Sequence, residues 1–469
     1  MLKQDALERL PPEWPDNLLP DIQRRVRASG QKVVVLDDDP TGTQTVHDIP
    51  VLTEWPVDAL RTELESAHPA FYLLTNSRSL TLPAAQALNN EIGRNLVEAA
   101  RQSGCTFAVV SRSDSTLRGH FPGEVEALAA ALETDFDAWL IIPFFLEGGR
   151  YTLGDVHYVA EGDALIPAGE TPFARDAVFG YRASDLRAWV EEKTGGRFRA
   201  AGVASVTLDD LRLGGPGRVT ERLLGLPKGG VCVVNAASYR DLEVFVAGLL
   251  DAEAQGRRYL YRTAASFVRV RAGIPPRALL GKADLDLPAA GGGLFVVGSY
   301  VPRTTAQVNA LLAQPGLCSV PVDVAKLLDG GAQRDEIARA ADAVNGALRR
   351  GQDVVAYTSR ALVTGEDAQR SLAIGQQVSA GLVALTRAIA TRPRYLVAKG
   401  GVTSSDIATR GLDVRRALVM GQILPGVPVW RLGPESRYPS LPYCVFPGNV
   451  GGPEALAEIA RALRPDAAA

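Results

Sequence analysis

The stretch Val33-Val34-Val35-Leu36-Asp37-Asp38-Asp39-Pro40-Thr41-Gly42-Thr43 decides how this chain is read. Four consecutive apolar residues, three of them β-branched, make a short strand covered on both faces, as in a parallel sheet. Pro40 and Gly42 then close a tight turn. In an open α/β sheet, ligands bind beyond the carboxyl ends of the strands. Three adjacent carboxylates at such an end repel one another and raise each other's pKa unless a cation or donors compensate. The loop therefore reads as a site; the plainer alternative is an acidic helix cap with Asp39 in solvent.

The same rhythm extends outward. Apolar runs at 71–74, 107–110 and 139–142 have few polar interruptions, and helical patterns lie between them. Thr81 is placed to cap a helix through Pro83, Leu88, Ile92 and Leu96 that ends near Gly104, with its three spaced apolar residues on one core-facing side. A second series follows at 294–297, 319–322, 354–357, 395–398 and 429–432. The expected class is α/β with two domains, each a largely parallel sheet flanked by helices. Residues 1–30, with Pro11, Pro12, Pro15 and Pro20, read as an extended N-terminal arm ending in a short helix. Residues 31–280 form the first domain, 281–293, with Pro288 and Gly291 to Gly293, a linker, and 294–469 the second domain. The region 147–230 is rich in glycine and proline and reads as irregular elaboration of the first domain.

A length of 469 residues suits two or three domains, and 46% apolar with 22% charged residues excludes wholesale disorder. With 50 basic and 53 acidic side chains the formal charge is −3, which argues against a dedicated nucleic-acid or anionic-membrane binder. The four cysteines, Cys105, Cys232, Cys318 and Cys444, have no CxxC or metal-knuckle spacing, and the four histidines show no i,i+4 pair. No export signal is evident near Met1 and no run approaches a membrane span, so a reduced, cytoplasmic protein is expected.

Three further clusters carry chemistry. Ser111-Arg112-Ser113-Asp114-Ser115-Thr116-Leu117-Arg118-Gly119-His120 follows the third apolar run. Two arginines around one aspartate suit a small anionic polyol, guanidinium forks taking a carboxylate and Asp114 taking hydroxyls. Arg78, after the second run, can join that face. In the second half, Gly298-Ser299-Tyr300-Val301-Pro302 and Lys399-Gly400-Gly401-Val402-Thr403-Ser404 each follow an apolar run and precede a helix, and Gly448-Asn449-Val450-Gly451-Gly452 is a third glycine turn. Such turns bring backbone N–H groups to an anion, and Lys399 adds positive charge at the mouth. A P-loop is excluded, since Pro276 stands where the first glycine belongs ahead of Gly281-Lys282. The Asp37-x-Asp39-x-Thr41 spacing also fits a haloacid-dehalogenase-like phosphatase with Asp37 as nucleophile. That likeness lacks the later acidic pair that would bind Mg²⁺ and leaves everything after residue 290 without a role.

Taken together, Asp37-Asp38 with Thr41-Gly42, Ser77-Arg78, Asp114-Ser115-Thr116-Leu117-Arg118-Gly119, Gly298-Ser299 and Gly400-Gly401 with Thr403-Ser404 resemble the four-carbon acid sugar kinase family, formerly a domain family of unknown function. The likeness spans roughly residues 33 to 455. It implies an amino-terminal domain that holds the sugar acid and a carboxy-terminal domain that holds ATP. By that resemblance Asp37, Asp38, Thr41, Arg78, Arg112, Ser113, Asp114 and Arg118 face the substrate, with Asp38 or Asp114 as the base that takes the hydroxyl proton. Ser299, Lys399, Gly400, Gly401, Val402, Thr403 and Gly448 face the nucleotide. Departures from the family pattern are Val402 in place of a glutamate, Arg112 in place of a lysine, His120 in place of an asparagine, and the longer arm.

The resemblance implies ATP and Mg²⁺ as cofactors and a small sugar acid as the other partner, with a homo-oligomer as a further expectation and no nucleic acid or membrane. The reaction would be transfer to a terminal hydroxyl, giving the 4-phosphate of a threonate, erythronate or 3-oxo-tetronate; a branched acid such as 3-oxo-isoapionate is a further alternative. Domain closure about 281–293 would exclude water as an acceptor. A phosphatase using Asp37 and a non-catalytic sugar-acid-binding protein are the competing readings. The residues that would hold Mg²⁺ are not legible.

Overall fold

The computed structural model describes residues 1–299, 301–360, 368–448 and 450–464, and its chain divides into two compact units, Met1–Pro276 and Arg277–Ala469. Tyr300 and Asn449, each inside one of the glycine turns, lie outside the described residues.

In the first unit the strands are β1 (Lys32–Asp37), β2 (Ile49–Leu52), β3 (Ala70–Leu74), β4 (Phe107–Arg112), β5 (Ala138–Ile142), β6 (Arg150–Leu153), β7 (Val156–Glu161), β8 (Ala164–Pro167), β9 (Ala204–Val206), β10 (Gly230–Val234) and β11 (Tyr259–Thr263). They form a parallel sheet in the order β2-β3-β1-β4-β11-β5-β10-β9, and a separate antiparallel sheet β6-β7-β8. Every residue of β3 and all but the first of β1 are buried, which is why both read as uninterrupted apolar runs. Register matters most for function: Asp37 pairs with Leu74 on one side and Arg112 on the other, and Arg112 pairs with Thr263. The carboxyl ends of four strands are thus level, and the loops after them share one edge.

The expected helix is Leu82–Ser103, entered from an extended Thr81 and ended by Gly104 in the left-handed conformation, with Ile92 and Leu96 in the core. Two expectations are corrected here. The amino-terminal segment does end in the expected helix, Leu19–Ser29, closed by Gly30 and burying Ile22 and Val26, but the part before it is not simply extended, since Lys3–Glu8 is helical as well. Nor is 147–230 irregular, since it holds β6 to β9 and, between Ala168 and Leu224, three α-helices and three 3-10 turns.

In the second unit the strands are β12 (Leu294–Val297), β13 (Cys318–Val322), β14 (Val354–Thr358), β15 (Leu396–Lys399), β16 (Arg416–Leu424), β17 (Val427–Leu432) and β18 (Pro442–Phe446). The order β13-β14-β12-β15-β18 is parallel, and β17 and β16 continue it antiparallel. Val297 pairs with both Tyr357 and Lys399, and Lys399 with Phe446, so four strand ends are again level. The stretch 281–293 expected as a linker carries a 3-10 turn at Lys282–Leu285, buries Leu285 in the second unit's core, and follows a bond from the Leu280 amide to the Gln422 carbonyl at 2.7 Å. Among the described residues no helix is long and apolar enough to cross a membrane.

Candidate functional site

Level strand ends place three loops of the first unit side by side. The Asp37 carbonyl accepts from the Thr75 amide at 3.0 Å and the Thr75 hydroxyl at 2.9 Å, and the Asp38 amide donates to the Arg112 carbonyl at 3.2 Å. The Ser113 amide donates to the Thr263 carbonyl at 2.9 Å, which turns the 113–119 loop over the same edge. On this frame the side chains Asp37, Asp38, Thr41, Arg78, Arg112, Asp114 and Arg118 gather as one cluster, and Ser113 is buried in the loop between Arg112 and Asp114.

Its charges are paired unequally. Arg112 Nη1 lies 3.1 Å from Asp37 Oδ1, and the Asp37 carboxylate fills the space a side chain at Gly42 would need. Arg78 bridges Asp39, through an ion pair, and Asp114, at 3.0 Å. Asp114 also accepts from Arg118 Nε at 2.9 Å and from the Thr116 hydroxyl. Thr41 donates to Asp39 through its amide at 2.9 Å. Asp38 is the exception: it is 3% exposed, Arg78 and Arg112 each stand 3.8 Å away, and neither of its oxygens accepts a hydrogen bond.

The consequence is a split in acidity. Burial pushes Asp38 up to about 6, and Asp37 up to about 7 against the pull of Arg112. Asp114 is just as buried, yet Arg118 and Arg78, with the bonds from Arg118 and Thr116, hold it well below the usual carboxylate range. Asp39 is likewise carried down by Arg78 and Thr41 in spite of burial.

Other residues complete the floor. Arg262, 1% exposed, donates from Nη2 to the Arg118 carbonyl at 3.0 Å and lies 5.1 Å from the Trp189 ring. His157 bonds the Ser115 carbonyl at 2.8 Å, and burial lowers it to about 4, so it is a neutral prop for the loop. Glu124, raised by burial, bonds Asn89 at 3.4 Å. Sequence reading missed these three. The Tyr259-Leu260-Tyr261 run ahead of Arg262 was the available signal, because it makes Arg262-Thr263 another polar strand end.

A second cluster occupies the carboxyl edge of the second unit's sheet. Gly298 has no room for a Cβ against Thr403, and a Cβ on Gly400, at φ 119°, would sit 3.3 Å from Ser299 Cβ. The Gly400 amide donates to the Phe446 carbonyl at 2.9 Å, and a Cβ on Gly448 would stand 3.9 Å from Ser299 Oγ. Ser299, Gly400, Gly401, Thr403 and Gly448 therefore converge. Gly401 opens the short helix Gly401–Asp406, and Val402 beside it is 51% exposed. Lys399, expected to be charge at the mouth, is instead fully buried: its amine donates to the Pro447 and Gly448 carbonyls and lies 4.0 Å from the Phe446 ring. Burial, and then Arg303, lower it to about 7. Missed altogether was Arg360, at the end of β14, which donates to the Ser299 carbonyl at 2.8 Å.

A model described as a sugar-binding N-terminal domain matches residues 33–271, and one described as a nucleotide-binding C-terminal domain matches 294–456. The chain belongs to the four-carbon acid sugar kinase family. It is accordingly an enzyme of the kinase class. Among its relatives, 3-oxo-tetronate kinase of Cupriavidus necator is 27% identical over 406 residues, covering 83% of this chain and 86% of that protein. D-threonate kinase of the same organism is 28% identical, covering 74% and 77%. D-erythronate kinase of Heliobacterium modesticaldum is 29% identical and covers 56% of each chain. Crystal structures of a Salmonella typhimurium LT2 protein described as a putative tRNA synthase, with TM-score 0.66, and of a Haemophilus influenzae protein, with TM-score 0.62, share the fold at 18% identity. They cover 92% of this chain and 99% and 100% of those chains.

The described residues hold no group of three or more acidic, histidine or cysteine side chains placed to bind a metal.

Proposed function

We propose that this chain transfers the γ-phosphoryl group of ATP to the terminal hydroxyl of a four-carbon sugar acid, such as threonate, erythronate or 3-oxo-tetronate, giving the 4-phosphate. The observation that carries this reading is Asp38: a buried carboxylate without a hydrogen-bond donor, titrating at about 6, beside guanidinium groups. A general base needs a free lone pair and a pKa near the working pH. Asp38 meets both conditions, whereas Asp114 is spent on Arg78, Arg118 and Thr116.

In the proposed reaction the substrate hydroxyl donates to Asp38 while its oxygen attacks the γ-phosphorus. The new O–P bond forms, the bond to the β,γ-bridging oxygen breaks, ADP leaves, and Asp38 keeps the proton. Arg78, Arg112 and Arg118 hold the substrate carboxylate and orient the chain, and Asp114 anchors Arg78 and Arg118 for that task. Ser299, Gly400, Gly401, Val402, Thr403 and Gly448 line the nucleotide site, and Mg²⁺ supplies charge neutralisation on the phosphates.

The phosphatase alternative asks Asp37 to attack a phosphoester. Its carboxylate is already paired with Arg112 and packed against Gly42, whereas Asp38 has no such partner. The cysteines among the described residues are all free, in keeping with a cytoplasmic setting. The test is ADP release measured by a coupled assay across threonate, erythronate, oxo-tetronates and isoapionate-type acids. Turnover with one of them is expected, and no ADP release with any acid overturns the reading.

A further inference from the structure

The two polar clusters differ in how their cations are satisfied. In the first unit Arg78, Arg112 and Arg118 each pair with carboxylates. At the glycine turns of the second unit the pattern reverses. Arg360 donates from Nη1 to the Ser299 carbonyl at 2.8 Å, from Nε to the Thr358 carbonyl at 3.1 Å, and from Nη2 to the Thr358 hydroxyl at 2.9 Å. All three acceptors are neutral, and no carboxylate among the described residues pairs with it. Burial draws its guanidinium down, and only Tyr357 opposes that. Lys399, at the end of β15 on the other side of β12, has the same character, since among the described residues its amine bonds the Pro447 and Gly448 carbonyls and no carboxylate.

A guanidinium has five N–H donors in a fixed plane, and these three bonds leave two. A partly buried cation without an anion is costly to hold unless an anion visits it. Arg360 is tied to Ser299, the residue around which the glycine turns converge, and it approaches from the end of β14, beside β12. We propose that Arg360 is a phosphate-binding residue of the nucleotide site, taking an oxygen of the ATP polyphosphate with its free N–H groups while its bonds to Ser299 and Thr358 fix the plane. This rests on the reading of the second unit as the ATP-binding half. The chemistry it recognises is a polyphosphate: a permanently charged planar fork fits phosphate oxygens and gives nothing to adenine or ribose.

The experiment compares Arg360→Gln and Arg360→Lys with the unaltered full chain, measuring calorimetric affinity for ATP, ADP and adenosine together with thermal midpoint. Loss of one charge-assisted bond should weaken ATP and ADP by roughly tenfold to a hundredfold. Adenosine affinity should stay unchanged, and lysine should recover part of the loss. Equal weakening of adenosine and ATP would mean that Arg360 only shapes the Ser299 turn, and unchanged ATP affinity would mean that it touches no phosphate; either result overturns the proposal. Failure of the unaltered chain to bind ATP at all is a separate outcome, which overturns the inference together with the nucleotide reading beneath it.

Discussion

Asp114 accepts from Arg118 at 2.9 Å and pairs with Arg78 at 3.0 Å, whereas no donor reaches either oxygen of Asp38. In the proposed reaction those few ångströms separate the duties of two aspartates that the sequence could not tell apart. Asp38→Asn keeps the volume and removes the lone pair that takes the proton, so kcat should fall by roughly 10²–10⁴-fold with sugar-acid affinity largely retained. Asp114→Asn should act mainly on the KM for the sugar acid, because it frees Arg78 and Arg118 from their anchor. A steady-state comparison showing the reverse pattern would exchange the two roles. The pH profile follows from the same geometry. Asp38 must be ionised to act and titrates at about 6, so kcat/KM should decline as pH falls below about 6. Asp114, held well below the usual range, stays ionised there and adds nothing to that limb. Lys399 gives a stability counterpart. Its folded pKa of about 7 lies below the unfolded value of 10.5, so between those values the unfolded chain holds a proton the folded chain lacks. Stability should therefore rise with pH across that window, by at most about 1.4 kcal/mol per unit. Urea midpoints of the unaltered chain and Lys399→Met at pH 7 and pH 9 should show the slope reduced in the variant.

At the scale of elements, what the sequence made legible was what periodicity reports. The runs at 33–36, 71–74, 107–110, 139–142, 294–297, 354–357 and 429–432 all fall within strands, because β-branched and aromatic residues buried on both faces leave an unbroken apolar signal. The strand Gly230–Val234 is equally apolar, but glycine-rich surroundings hid it, and Tyr259–Thr263 ends in polar residues that serve the site. The first amino-terminal helix was read as part of an extended arm because Pro11, Pro12 and Pro15 follow it closely, while Pro20 falls in the first turn of the second, where proline is tolerated. In the site, motifs gave the loops with several polar residues in a row and missed isolated ones such as Arg262 and Arg360, whose neighbours come from strands distant in sequence. The loop after the first strand also sets a limit on change. A Cβ at Gly42 would collide with the Asp37 carboxylate, which is itself pinned by Arg112. Gly42→Ala should displace Asp37 and destabilise the protein by about 1–3 kcal/mol, as overpacking does. A thermal midpoint equal to that of the unaltered chain would show that the loop yields freely.

For the molecule as a whole, the balance of charge distinguishes the two units' sites. The first gathers Asp37, Asp38, Asp39 and Asp114 around Arg78, Arg112 and Arg118, so a monoanionic sugar acid enters a field already compensated at short range and recognition depends on buried, directional bonds. The second offers Arg360 without a carboxylate partner among the described residues, so in the proposed reading a polyanionic nucleotide meets positive charge beside the Gly298, Gly400 and Gly448 turns. Buried pairs are screened weakly by salt and the approach of a multiply charged ligand strongly. Raising ionic strength from about 0.05 M to about 0.5 M, across a Debye length falling from about 14 to about 4 Å, should therefore raise the KM for ATP several-fold and change the KM for the sugar acid much less. In Arg360→Gln the nucleotide's salt dependence should be shallower, since the permanently charged group proposed to produce it is gone. Parallel salt slopes for both substrates would instead mean that the uncompensated charge at the second unit's turns plays no part in capturing the nucleotide.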